Sequence, residues 1–267
     1  MNWTSLHIFY FDNNKELLVK CIYNMYLNNF FDKFFYINYW DGGPHIRLRI
    51  ANITKNEKEI IIKTIQKFIQ ENPSLSKISE KDYLITSNNF ADKENSEILE
   101  LQKNNTILEI EYKPEIDKYL NNEGVHISED IFFISSLNSL TYLKNSPNKE
   151  MVYMHSLQFA NYILKYFLNT KQTVLFLKEY ERYWHSFSNS DIKSTKLIRI
   201  PHKKFAEFDD PFSKIKANFT HSEQMGFIFN YIHLTNNRLG IKPFEEAILS
   251  SILTKFWGDE YENKSNK

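Results

Sequence analysis

The segment Trp40-Asp41-Gly42-Gly43-Pro44-His45-Ile46-Arg47-Leu48-Arg49 sets one histidine and two arginines at alternate positions after a turn. Alternate side chains of an extended strand share a face, so His45, Arg47 and Arg49 project together while Ile46, Leu48 and Ile50 face a core. The two arginines are then about 6.6–6.8 Å apart along the strand. Guanidiniums at that spacing repel each other unless an anion lies between them or solvent screens them. Such a pair can cradle a carboxylate or another developing negative charge. The alternative is an exposed strand face with ordinary salt bridges. Composition sharpens the choice: the chain has 28 lysines and only 5 arginines. Lysine serves where a point charge suffices, so a retained arginine points to a need for the planar fork.

A second candidate is Tyr231-Ile232-His233-Leu234-Thr235-Asn236-Asn237-Arg238-Leu239-Gly240. It puts His233 near the end of an otherwise apolar helix and Arg238 at its terminus, where a helix dipole favours a protonated imidazole able to donate a proton. A structural histidine with an arginine capping helix carbonyls fits the same letters. The third stretch, Glu111-Tyr112-Lys113-Pro114-Glu115-Ile116-Asp117-Lys118-Tyr119, reads by itself as a strand leaving a sheet into a charged, solvated loop.

Composition excludes several classes. The 267 residues carry 33 basic and 33 acidic side chains, so the formal charge is zero. A neutral chain lacks the long-range field of a general nucleic-acid or membrane-surface binder. Cys21 is the single cysteine, which leaves no disulfide framework or cysteine zinc cage, and a buried inert thiol is expected. No apolar run approaches the roughly 20 residues of a membrane span, and Met1–Phe11 lacks the basic start of a signal peptide. A cytoplasmic protein is the expectation. Phosphate-loop, dinucleotide and nucleophile-elbow motifs are absent, and the eight histidines show no metal-ligand spacing. No cofactor or metal is expected.

These residues need a scaffold, and the first half alternates strand and helix signals. Leu6, Ile8 and Tyr10 alternate as a strand, and a helix follows through Leu17, Leu18, Cys21, Ile22 and Met25. Phe34–Trp40 is a β-former run, the Asp41–Pro44 turn follows, and His45–Ile50 returns as a hairpin. Thr54 or Asn56 can cap a second helix with Ile60, Ile61, Thr64, Ile65 and Phe68 on its apolar side. A polar loop over Ser87–Ser96 precedes a strand at Ile107–Tyr112. From Ser128 the period is helical: Ser128–Leu143, Lys149–Leu168, Thr173–Phe187, His221–Thr235 and Pro243–Trp257. Ser188–Thr220 reads as an irregular surface loop. The expected fold is α+β, one domain over 1–267 with a ferredoxin-like βαββαβ half (1–125), a mostly helical half (126–258) and a flexible tail (259–267).

Taken together, the stretches resemble the carboxy-terminal elimination domain of class I lanthipeptide dehydratases, which also occurs as separate chains in thiopeptide biosynthesis. The resemblance runs from Trp3 to about Leu253. It is carried by Phe34–Trp40 leading into Asp41–Arg49, by Tyr112, Pro114, Glu115, Lys118 and Tyr119, by Glu129, Phe132, Ser135 and Ser136, and by His233, Asn237, Arg238, Leu239 and Gly240. The hairpin and the His233–Gly240 stretch are the specific marks.

The resemblance implies an enzyme acting on a ribosomally made peptide. Another subunit or domain esterifies Ser or Thr with glutamate from glutamyl-tRNA; this one removes the Cα proton and expels glutamate, leaving dehydroalanine or dehydrobutyrine. Carried over, the catalytic residues are Arg47, Arg49, Lys118 and His233, with His45, Tyr39, Tyr112, Asn237 and Arg238 binding substrate. The partners implied are a precursor peptide with its leader and a separate glutamyl-tRNA-dependent dehydratase subunit, without direct nucleic-acid or membrane contact; a homodimer is one option. Two departures stand out, since the family usually has arginine where Lys118 and Asn38 stand. The same fold hosts thiopeptide pyridine synthases, which join two dehydroalanines in a formal [4+2] cycloaddition and release the leader, and which tend to lose the eliminating residues. Retention of Arg47, Arg49 and His233 favours elimination. A non-catalytic leader-binding subunit, adding the peptide to a sheet edge, predicts instead that Arg47→Ala leaves processing intact.

Overall fold

A computed structural model describes residues 1–12, 17–85, 99–186 and 199–265, with side chains through Asp259. The loop expected at Ser87–Ser96 lies outside the described residues. The fold is α+β, and the chain divides into two compact units: Met1–Pro114 with Ser136–Lys144, and Glu115–Ser135 with Asn145–Lys267.

In the first unit β1 (Trp3–Phe9) leads to a wide π-helical turn (Leu17–Tyr23) that runs into the short α1 (Asn24–Leu27). There follow β2 (Phe34–Tyr39), β3 (His45–Ala51), α2 (Lys55–Glu71) and β4 (Thr106–Glu109). The strands form one antiparallel sheet in the order β2-β3-β1-β4. Period-two alternation sorts the sheet into two faces. Leu6, Ile8, Phe34, Tyr36, Ile46, Leu48 and Ile50 are fully buried on one, with the unit's apolar helix residues Leu17, Ile22, Ile61 and Ile65 also in the core. Each such residue contributes about 1.5–3 kcal/mol by leaving water. Thr54 caps α2 in a reciprocal box with Glu57. Its buried stripe is Ile61, Ile65 and Ile69, while Ile60, expected on the apolar side, is exposed. Cys21 is buried, and burial pushes its thiol up to about 12, far from reactive thiolate.

The helix α3 (Asn122–Leu143) contributes its last turns, from Ser136, to the first unit. There Ser136 Oγ accepts the Tyr36 N–H of the edge strand β2 at 3.2 Å. At its start, a Cβ on Gly124 would stand 2.0 Å from the Tyr119 carbonyl oxygen, so only glycine lets the incoming chain pass.

The second unit is helical: α4 (Lys149–Phe167), α5 (Thr170–His185), α6 (Asp209–Asn218), α7 (His221–Arg238) and α8 (Pro243–Ser265). α5 packs along α8, and α4 against α7. The expected loop over Ser188–Thr220 needs correction where it is described. Residues 206–218 are a 3-10 turn followed by α6, and Phe205, Phe208, Phe212 and Ile215, spaced three or four apart, are buried. Four buried apolar anchors outweigh the polar letters between them.

Candidate active site

The second face of the sheet carries charge. The register sets Phe9 opposite His45, His7 opposite Arg47 and Ser5 opposite Arg49, with Tyr39, Ile37 and Phe35 on the other flank of β3. The alternation therefore does bring His45, Arg47 and Arg49 to one face. The hairpin that presents them closes through Gly43 N–H donating to the Trp40 carbonyl at 2.9 Å. Gly42 and Gly43 both have positive φ (83° and 104°), and a Cβ on Gly43 would meet Phe11 and Leu101 at 3.0 Å. Asp41 anchors the turn by accepting Leu99 N–H at 3.0 Å, and Tyr83 hydroxyl accepts the Gly42 N–H at 2.7 Å.

His45 is buried, and one hydrogen-bond chain defines its tautomer. Nδ1 lies 2.8 Å from the Gly43 carbonyl, which can only accept, so Nδ1 carries the proton; Nε2 then accepts the Arg47 Nε–H at 3.3 Å. The Arg47 guanidinium also lies 3.4 Å above the Tyr39 ring. Arg49 is buried at 8% exposure, with its guanidinium 5.2 Å from the Tyr112 ring and 5.6 Å from Phe35. Tyr39, Tyr112 and His45 thus pack on the arginines. His7 and His45 stack at 5.0 Å. Burial, then the nearby Arg47, His45 and Arg49, lower His7 to about 3; burial and the two arginines lower His45 to about 4 against a raising bond from Gly43. Both rings are neutral at physiological pH, so the positive charge of this face belongs to the guanidiniums.

In the second unit, α7 and α8 build a different device. His233 Nδ1 lies 2.7 Å from Glu246 Oε1, with the imidazole 28% exposed and the carboxylate side chain 1% exposed. Glu246 Oε2 accepts from Tyr180 hydroxyl and from Asn236 amide, each at 3.0 Å. Ser156 hydroxyl in turn donates to Asn236 Oδ1. A carboxylate held by these donors accepts from Nδ1, so that in the neutral form of the ring Nε2 is the proton acceptor. The Trp184 ring packs on the imidazole at 4.8 Å. The immediate partner of His233 is this carboxylate.

The remaining expected residues are placed as follows. Lys118 is exposed in the 115–119 turn and pairs with Glu115 at 3.5 Å. Arg238 is 1% exposed, donates to Ser135 Oγ at 3.4 Å and lies 5.3 Å from the Phe132 ring. The Asn237 side chain is half-buried, and its carbonyl accepts the Gly240 N–H at 3.0 Å. Sequence reasoning missed Glu246, Tyr180, Asn236 and His7. Glu245-Glu246 reads as ordinary acid in a first helical turn, and only helix packing reveals its partner. Among the described residues no three His, Cys, Asp or Glu side chains converge as metal ligands would, and no helix is long and apolar enough to cross a membrane.

No curated protein sequence matches the chain. Among solved structures, the pyridine synthase TbtD from thiomuracin biosynthesis superposes with a TM-score of 0.70 at 12% identity, covering 98% of this chain and 99% of that one. The tRNA-dependent lantibiotic dehydratase MibB from Microbispora sp. 107891 gives 0.54 at 12% identity. The match covers 100% of this chain but only 29% of the dehydratase. At such identity these likenesses speak for the fold. The family is given by sequence: residues 3–257 match the model of the lantibiotic biosynthesis dehydratase C-terminal family, so the chain belongs to that family.

Proposed function

We propose that this protein is a tailoring enzyme of ribosomally made peptides that eliminates glutamate from glutamylated Ser or Thr. The Cα–H and Cβ–O bonds break, a Cα=Cβ double bond forms, and glutamate leaves as a carboxylate. Negative charge builds on the peptide carbonyl and on the leaving group. Fixed guanidiniums stabilise such charge more in the transition state than in the neutral ester. Arg47 and Arg49 take that role, and His233 receives the Cα proton at Nε2, its tautomer set by Glu246. Tyr39, Tyr112 and His45 position the arginines, while Lys118, Asn237 and Arg238 support peptide binding or the shape of the second unit. The substrate is a precursor peptide with its leader, glutamylated by a separate glutamyl-tRNA-dependent subunit. The strand order β2-β3-β1-β4, with helices between β1 and β2 and between β3 and β4, supports a ferredoxin-like reading of the first unit.

The single observation that carries the proposal is the pair of guanidiniums, scarce in this composition, held on one face of β3 by aromatic rings and His45. A second reading is pyridine formation from two dehydroalanines with leader release. It is favoured by the end-to-end superposition with a pyridine synthase and by the exposed Lys118 in place of the usual arginine. Mass spectrometry after incubation with two defined peptides separates them. A glutamylated peptide that loses glutamate supports elimination; a dehydroalanine-rich peptide that loses its leader supports cyclisation. If neither changes, both enzyme readings fail and a leader-binding subunit takes their place.

A further inference from the structure

Ser5 Oγ and Trp3 Nε1, buried donors on the arginine face, have no hydrogen-bond partner among the described residues. Burying a donor without a partner costs on the order of 1–3 kcal/mol, so each such group in a native fold calls for an explanation. Their placement supplies one. Ser5 is 3% exposed and sits directly opposite Arg49 in the β1–β3 register, a pairing that brings Cβ atoms within about 4.5–5.5 Å. Trp3, two residues before Ser5 on the same face, packs on Phe35 at 4.8 Å and on Tyr112 at 6.2 Å. Those are the two rings that flank the Arg49 guanidinium. Lys33 Nζ adds a positive charge 5.9 Å from the Trp3 ring. Two neutral donors and fixed cations around shared aromatic rings match a carboxylate, which accepts several hydrogen bonds and needs a counter-charge once desolvated.

We propose that Trp3, Ser5 and Arg49 form a carboxylate subsite, in which the ligand accepts hydrogen bonds from the indole N–H and the Ser5 hydroxyl while the guanidinium supplies the charge. The proposal deepens the elimination reading, on which it rests, by assigning one end of the cationic face to the free carboxylate of a glutamyl group or of released glutamate.

The test is calorimetric titration of the full chain with glutarate, with glutaramide as the uncharged control, beside thermal melts of the ligand-free protein. Wild type should bind glutarate and not glutaramide. Ser5→Ala and Trp3→Phe should each weaken glutarate about tenfold, the worth of one hydrogen bond to a charged group. Their ligand-free melting temperatures should hold or rise for Ser5→Ala, because that change removes an orphaned donor and breaks no internal bond. Ser5→Thr retains the hydroxyl and should restore the affinity. Unchanged glutarate affinity in Ser5→Ala and Trp3→Phe, or no glutarate binding by wild type, overturns the subsite. The expected affinities with a glutamylated peptide left intact would sink the elimination reading and leave the subsite standing.

Discussion

The imidazole of His233 and the carboxylate of Glu246 meet at 2.7 Å through Nδ1 and Oε1, and the carboxylate is held from behind by Tyr180 and Asn236. The carboxylate decides which ring nitrogen carries the proton. Glu246→Gln offers an amide that can donate to Nδ1 and so turn the ring into the wrong tautomer. With glutamylated peptide, kcat should fall about a hundredfold or more, the usual worth of positioned acid–base catalysis. KM should stay near the wild-type value, since the carboxylate lies behind the ring. Steady-state kinetics with circular dichroism as a folding control measures this.

Arg47 is held at three points: the backbone of β3, the His45 Nε2 acceptor and the Tyr39 ring. Arg47→Lys retains the charge but loses the Nε–H and the planar fork. Glutamate release should drop about 100- to 1000-fold in kcat/KM, as for removal of one donor to a developing anion. Urea denaturation should shift by about 1 kcal/mol or less, the range for a part-exposed substitution. A variant that keeps wild-type turnover would return the arginine face to a purely structural role.

His7 and His45 predict a pH dependence of stability. Their ordinary value is 6.5, and the fold lowers them to about 3 and about 4, mainly by burial. As pH falls below about 6.5 the unfolded chain takes up protons that the folded chain refuses, so stability is lost toward acid and is fully present above that pH. The loss is about 1.4 kcal/mol per pH unit for each imidazole. Arg47 and Arg49 face both rings and keep the slope in place. His45→Gln removes one imidazole but retains an acceptor for Arg47. Its urea midpoints should fall less steeply between about pH 6.5 and pH 4, by one imidazole's share. An unchanged slope would mean that His45 is not the buried neutral ring described above.

The turn that launches β3 depends on Gly43, whose φ of 104° and crowding by Phe11 and Leu101 leave no room for a side chain. Gly43→Ala should cost on the order of 1–3 kcal/mol. The comparison with Gly226→Ala is informative, because nothing lies within 4 Å of that added methyl and the residue is helical. Gly226→Ala should be neutral or stabilising by about 1 kcal/mol or less. Thermal melts of the two variants order the effects.

The cationic face was legible because a strand has a rigid period. Once Ile46, Leu48 and Ile50 are assigned to the core, His45, Arg47 and Arg49 have nowhere else to point. Thr54 was legible as a cap for a similar local reason: its partner Glu57 is three residues away. Glu246 was not legible, since α7 and α8 must pack before it meets His233. Ser5 and His7 were silent for the same reason, because their meaning comes from cross-strand partners that lie 40 or more residues away. The helix α6 was hidden by its lysines and aspartates, although the spacing of Phe205, Phe208, Phe212 and Ile215 carried its period.

One measurement reaches the center of the account: release of glutamate from a defined O-glutamylated peptide, followed by mass spectrometry with hydrogen or deuterium at the substrate Cα. A chain that uses Arg47 and Arg49 to hold the emerging charge, with His233 taking the proton, should free glutamate and leave a dehydrated residue, more slowly from the deuterated peptide. Intact glutamyl ester after prolonged incubation with folded protein would contradict it.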